Sequence, residues 1–152
     1  MVDVVDKATR SRMMAGIKGK NTKPELTIRK GLHRLGFRFR LHDRHLPGKP
    51  DLIFPGRKAA VFVNGCFWHG HDCPRFKIPT SRAEFWINKI NANRARDLKV
   101  GVALAAAGWR QAIVWECALS GRGRLDPDRV FADLARWLDG KRRLLELSGF
   151  CR

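Results

Sequence analysis

Acidic residues are scarce in this chain. Fourteen Asp and Glu stand against 31 Lys and Arg, leaving a formal net charge of +17 spread over both halves of 152 residues. Self-repulsion on that scale adds nothing to fold stability, so a polyanionic partner is its natural explanation. Long hydrophobic runs are missing as well, and no stretch approaches the roughly 18–20 apolar residues that span a bilayer. Residues 1–20 alternate charge with small apolar side chains and lack the continuous core of a secretory leader. No basic amphipathic helix with a broad apolar face stands out, which favours nucleic acid over a membrane surface. Internal repeats are absent. These gaps predict a cytoplasmic protein without a membrane partner. Cysteine is sparse too, at positions 66, 73, 117 and 151. In a reducing compartment the close pair Cys66 and Cys73 points to metal rather than a disulfide.

What is present suits one globular domain over residues 1–152, since 44% hydrophobic residues suffice for a core without staples. Residues 1–21 read as a basic arm that orders on a partner, with Lys7, Arg10, Arg12, Lys18 and Lys20 around Met13 and Met14. Thr22-x-x-Glu25 is a capping-box pattern, with Pro24 in the first turn. The helix it opens runs through Leu26, Leu32 and Leu35 to Gly36. Phe37 to His42 alternates as a half-buried strand. Asp51–Phe54 reads as a short buried strand and Ala59–Val63 as a continuous apolar one. Thr80 or Ser81 caps a helical region through Phe85, Trp86, Ile87 and Ile90, whose pattern resumes at Leu98, Val102 and Leu104. Trp109–Trp115 is a further strand, and Asp126-Pro127 starts a helix with Val130, Leu134, Trp137 and Leu138. The order α-β-β-β-α-β-α predicts a mixed central sheet flanked by helices. Residues 141–152, including Cys151, are left as an unassigned tail.

The segment Gly65-Cys66-Phe67-Trp68-His69-Gly70-His71-Asp72-Cys73 concentrates the chemistry. Cys66, His71 and Cys73, joined by Cys117 at the end of a strand, make a Cys3His set suited to structural zinc. His69 is the alternative imidazole, and whichever one stays off the metal is free for chemistry. Phe67 and Trp68 cannot both point inward from an extended loop. With Trp86, they are candidates to stack on or wedge between bases. Asp51 at the mouth of a buried strand suits Mg2+, or else simply closes a turn. Asp97, among arginines, reads as a helix-surface ion pair, and Glu25 as part of the capping box.

Several stretches in order resemble the very-short-patch repair (Vsr) endonucleases. They are Asp6-Lys7-Ala8-Thr9-Arg10-Ser11 with Met14, Leu46-Pro47-Gly48-Lys49-Pro50-Asp51, and Gly65-Cys66-Phe67-Trp68-His69. They continue as Glu84-Phe85-Trp86 with Lys89-Ile90, and Ile113-Val114-Trp115-Glu116-Cys117-Ala118-Leu119. The resemblance implies a restriction-endonuclease-like fold of the PD-(D/E)xK class. It implies Mg2+-dependent nicking of double-stranded DNA on the 5′ side of the thymine in a T:G mismatch, such as deaminated 5-methylcytosine leaves. It implies a bacterial, nucleoid-associated monomer, with mismatch-repair proteins as candidate partners.

Carried over position by position, Asp51 and the Val63 carbonyl would hold Mg2+, and Glu25 would lie near the waters around it. His69 would be the general base, oriented by Asp97. Cys66, His71, Cys73 and Cys117 would bind zinc. Phe67, Trp68 and Trp86 would wedge into the duplex, with Met14 entering from the opposite groove. Asn64 departs from the family, which often has His there, and Asn cannot transfer a proton. No Glu-x-Lys follows Asp51, and the resemblance is weakest beyond residue 120. A non-catalytic zinc-loop module for distorted DNA, and a nuclease for another DNA structure, are the competing readings.

Overall fold

The computed structural model describes residues 21–149. The expected arm, apart from Asn21, lies outside them, as do Met14 and Cys151. Helix α1 spans Lys23–Arg34, with Thr22 as its N-cap. The Glu25 N–H donates to Thr22 Oγ1 at 3.4 Å. The reciprocal half of the capping box is not made, because the Glu25 carboxylate accepts from the Asn21 N–H instead. Glu25, Ile28, Gly31 and Leu32 form the buried face. The expectation that Leu26 and Leu35 face the core is corrected, as both are exposed. Leu26 lies about 200° around the helix from Ile28, and Leu35 is the cap residue where the chain turns away.

The sheet runs β1-β2-β3-β4-β5. Strands β1 (Arg40–Leu41), β2 (Leu52–Phe54) and β3 (Ala59–Asn64) pair antiparallel in succession. Strands β4 (Arg110–Trp115) and β5 (Leu144–Leu147) add in parallel. The strand expected over residues 37–42 shrinks to two paired residues. Phe37 and Phe39 do turn inward onto Phe54, with ring centroids 6.3 and 5.8 Å away. The ladder ends where His42 adopts a left-handed backbone, φ 48°.

Between β3 and β4 runs α2, Ala83–Ala106. Its N-cap is Arg82, at φ 57° and without a side-chain cap, rather than the expected Thr80 or Ser81. Ile90 and Leu104 are buried, but Phe85 and Ile87 are exposed, and Leu98 and Val102 are 74% and 72% exposed. The apolar pattern that resumes at Leu98 and Val102 keeps its helical spacing but is not covered by a core. Leu98 and Val102 instead line an open groove with Ile113 of β4 and Leu144 of β5.

After β4 come a short helix α3 (Glu116–Leu119) and α4 (Pro127–Asp139). The α4 N-cap is Asp126, whose carboxylate accepts from the Asp128 N–H at 3.0 Å. Its buried face is Val130, Leu134, Trp137 and Leu138, as the sequence predicts. Strand β5 falls in the stretch left unassigned. Its alternation, Leu145 and Leu147 in, Leu144 and Glu146 toward the other face, spans only four residues.

Alternate residues of β3 serve two cores. Ala59 and Val61 pack with α1 and α4, while Ala60 and Phe62 pack with Leu104 of α2. The central strand is therefore buried on both faces, which explains its unbroken apolar run. A Cβ on Gly31 would lie 2.3 Å from the Phe131 ring, so a larger residue there would displace that ring from between α1 and α4. Among the described residues no helix is long and apolar enough to cross a membrane.

Candidate active site and metal centre

The carboxyl ends of β3 and β4, the start of β2 and one side of α2 enclose a cleft of about 390 Å3. Asp51, Val63, Asn64, His69 and Asp97 all line it, together with Lys49 and Arg96. Residues 46 positions apart in sequence thus share one space, because β3 delivers residue 64 directly above the turn that precedes β2.

Asp51 Oδ2 accepts a hydrogen bond of 2.7 Å from the Val63 N–H. In a strand the N–H and C=O of one residue point to the same edge, so the Val63 carbonyl faces that way too. Burial raises the Asp51 carboxyl from 3.8 to about 6, against the opposing pull of the Val63 bond and Arg29. A carboxylate held at such cost is one whose charge a cation would restore. Oxygen donors of this kind suit a hard divalent ion.

His69 and Asp97 are joined across 2.7 Å, Nδ1 to Oδ2. An ionised Asp97 accepts from Nδ1–H, which leaves the Nε2 lone pair free to take a proton. The Asp97 carboxylate thus meets an imidazole from the preceding loop, the contact the resemblance implies, rather than the surface ion pair that its neighbouring arginines alone suggest. Asn93 fastens the same loop to α2 by donating to the Trp68 carbonyl at 2.8 Å.

Past His69 the loop folds back on the sheet end. Cys66, His71, Cys73 and Cys117 bring their ligand atoms within 4.8 Å of one another. His71, not His69, joins this group. Its ring stacks on Trp115, with centroids 4.1 Å apart and planes at 10°. Its Nδ1 stands 3.6 Å from Cys117 Sγ. Burial pushes the Cys66 thiol up and the His71 imidazole down, so His71 is neutral and able to ligate. Three sulfurs and one imidazole at that spacing match a closed tetrahedral zinc site with bonds of about 2.0–2.3 Å. The Gly149 N–H, at the end of β5, adds a 3.2 Å hydrogen bond to Cys117 Sγ.

Phe67, Trp68 and Trp86 form one half-buried cluster. Their ring centroids lie 5.1, 5.5 and 5.9 Å apart, all with rings steeply inclined. Phe76 and Phe85 extend it, at 6.2 Å from Phe67 and 5.1 Å from Trp86.

The model of the DNA mismatch endonuclease Vsr family matches residues 2–75. The type II nicking enzyme V.XorIIP of Xanthomonas oryzae pv. oryzae is 50% identical over 126 residues, covering 83% of this chain and 93% of that one. The chain belongs to the DNA mismatch endonuclease Vsr family. The DNA mismatch endonuclease Vsr of Escherichia coli K12 is 43% identical over 141 residues, covering 93% and 90% of the two chains. The nicking enzyme V.NmeAIP of Neisseria meningitidis is 42% identical over 122 residues, covering 80% and 87%.

This Vsr-family endonuclease has the restriction-endonuclease-like architecture of its family, a five-stranded mixed sheet with helices on both faces. In that class a Glu-x-Lys on the strand after the aspartate supplies a cleft cation. Here the Val63 N–H meets the Asp51 carboxylate, and the cleft's cations come from Lys49 and Arg96. Lys49 adjoins Asp51 in the Gly48-Lys49-Pro50-Asp51 turn, a signal that was available in the sequence. Glu25 is 2% exposed and does more than cap a helix. It pairs with Arg29, and its Oε2 lies 2.7 Å from His42 Nε2. Sequence reasoning missed Arg29 and His42. A lone His after an alternating strand carries no mark that separates it from His33 or His45.

Proposed function

We propose that this endonuclease nicks one strand of double-stranded DNA on the 5′ side of the thymine in a T:G mismatch, in a Mg2+-dependent reaction. The observation that carries the reading is the sharing of one cleft by Asp51 and the His69–Asp97 pair, since a protein that only binds DNA needs neither.

Asp51 and the Val63 carbonyl are the residues to hold Mg2+, with Glu25 nearby. When bound, that ion polarises the scissile phosphate and offsets the charge that builds on it. His69 Nε2 removes the proton from the attacking water, and Asp97 holds the ring's tautomer and stabilises the imidazolium that results. Lys49 and Arg96 supply fixed positive charge to the phosphate backbone, and Asn64 donates a hydrogen bond to a phosphate oxygen. Cys66, His71, Cys73 and Cys117 hold structural zinc, which anchors the loop between the chemistry and the aromatics. Phe67, Trp68 and Trp86 wedge into the duplex, with Met14 entering from the other groove. A mismatched step unstacks more cheaply than a paired one, so the wedge converts weak pairing into selectivity.

The test compares the parent with Asp51→Asn on a T:G duplex, with Mg2+ and with EDTA, reading both strand scission and a gel shift. Nicking only by the Mg2+-loaded parent, with DNA affinity kept by the variant, is the expected result. Binding without scission under every condition would leave a recognition module in place of an enzyme.

A further inference from the structure

Asp51 belongs to a second constellation. Glu25 from α1, His42 at the end of β1 and Asp51 before β2 bring their ligand atoms within 4.8 Å of one another. His42 reaches it through a left-handed backbone, φ 48°, a conformation that residues other than glycine rarely adopt. The His42 N–H donates to the Asp51 carbonyl at 3.1 Å, which fixes the bend and carries the imidazole over the carboxylates.

The positive charge already there is Arg29, and it satisfies the site incompletely. Its guanidinium pairs with Glu25 and lies 3.1 Å from His42 Nε2, while His42 Nε2 is also 2.7 Å from Glu25 Oε2. One ring nitrogen cannot accept from Arg29 and donate to Glu25 at once. Among the described residues Arg29 Nε is buried without a hydrogen-bond partner. A divalent cation resolves the conflict, because it takes lone pairs from both carboxylates and from the imidazole together. Asn21 Oδ1, 2.7 Å from the same Arg29 Nη2, gives the guanidinium a partner other than Glu25 and His42.

We infer that His42 is a direct ligand of the divalent cation held by Glu25 and Asp51, and that its nitrogen makes this site favour Mn2+ over Mg2+. Resting on the proposed function, the inference needs Asp51 to be a cation ligand and adds a donor from this chain's own β1. Mg2+ takes oxygen ligands and gives up its waters reluctantly, whereas first-row transition ions accept imidazole readily. Arg29 competes with the cation for Glu25.

The experiment uses the full, zinc-loaded chain without DNA, titrated with Mn2+ and followed by electron paramagnetic resonance. Mn2+ is the weakest binder of its series and does not displace zinc from thiolates. Pulsed spectra of the bound ion should carry 14N modulation from a ligated imidazole. The signal should persist in His69→Ala and vanish in His42→Gln, with Mn2+ affinity falling about tenfold or more. Arg29→Met should instead tighten Mn2+. Mn2+ held by oxygen alone, or an unchanged nitrogen signal in His42→Gln, overturns the role of His42 and leaves the proposed function standing. Absence of any Mn2+ binding that Asp51→Asn removes overturns both.

Discussion

His69 Nδ1 and Asp97 Oδ2 lie 2.7 Å apart, joining a loop that follows β3 to the middle of α2. The pairing occupies Nδ1 and not Nε2, and His69 lines the cleft that also contains Asp51. In the proposed role of general base, His69 would contribute about 10²–10⁴ in rate. Asp97→Asn and His69→Ala should each lower single-turnover nicking by about that much, while gel-shift affinity holds. A loss of DNA binding in step with the loss of rate would make the pair structural.

The four-residue Cys/His group makes a second prediction. One zinc per chain should be released on denaturation, as read by mass spectrometry or a chromophoric chelator. Cys117→Ser should lose it, at a cost above about 4 kcal/mol. For a chain of this length that is a fall in Tm of roughly 8–16 °C. A zinc-free parent with the parent's Tm would refute the assignment.

Asp51 predicts a pH dependence. Its folded pKa is raised from 3.8 to about 6, so the folded chain binds the extra proton between those values. The stability contributed by this group is therefore fully present below 3.8 and is lost as pH rises through about 6. Asp51→Asn removes that loss, and should raise the unfolding free energy at pH 8 without added Mg2+ by at most about 3 kcal/mol. The gain should disappear below pH 4. Adding Mg2+ should stabilise the parent and not the variant. Calorimetry across that range checks both signs.

Much of this site was legible in the sequence because its residues cluster: Cys66 to Cys73 share one loop, and Asp51 stands beside a diagnostic turn. The remainder depends on contacts that no local pattern encodes. Asp97 lies 28 residues from His69: its neighbours alone suggest a surface ion pair, the family resemblance implies the pairing, and the path of α2 past the loop makes it. His42 counts because its backbone bends at the end of a two-residue strand, where simple alternation predicted a longer one. Strand β5 escaped because four alternating residues after a basic turn give too short a signal, and its pairing is set by β4. Leu98 and Val102 kept helical spacing but line an open groove beside β4 and β5, since periodicity reports a face and not what lies against it.

The aromatic cluster predicts selectivity rather than rate. Phe67→Ala or Trp86→Ala should each remove about 1–3 kcal/mol of binding to T:G DNA and much less with a matched duplex. Their competition for the two duplexes measures the difference. Equal weakening on both would assign the rings to general packing, for which their mutual contacts at 5.1–5.9 Å already suffice.

The most direct measurement is single-turnover nicking of two end-labelled duplexes that differ only in T:G against T:A, with each strand labelled in turn. The account predicts one Mg2+-dependent break, on the 5′ side of the mismatched thymine, and an intact matched duplex. Equal cleavage of the two duplexes, or a break in the guanine strand, would contradict it.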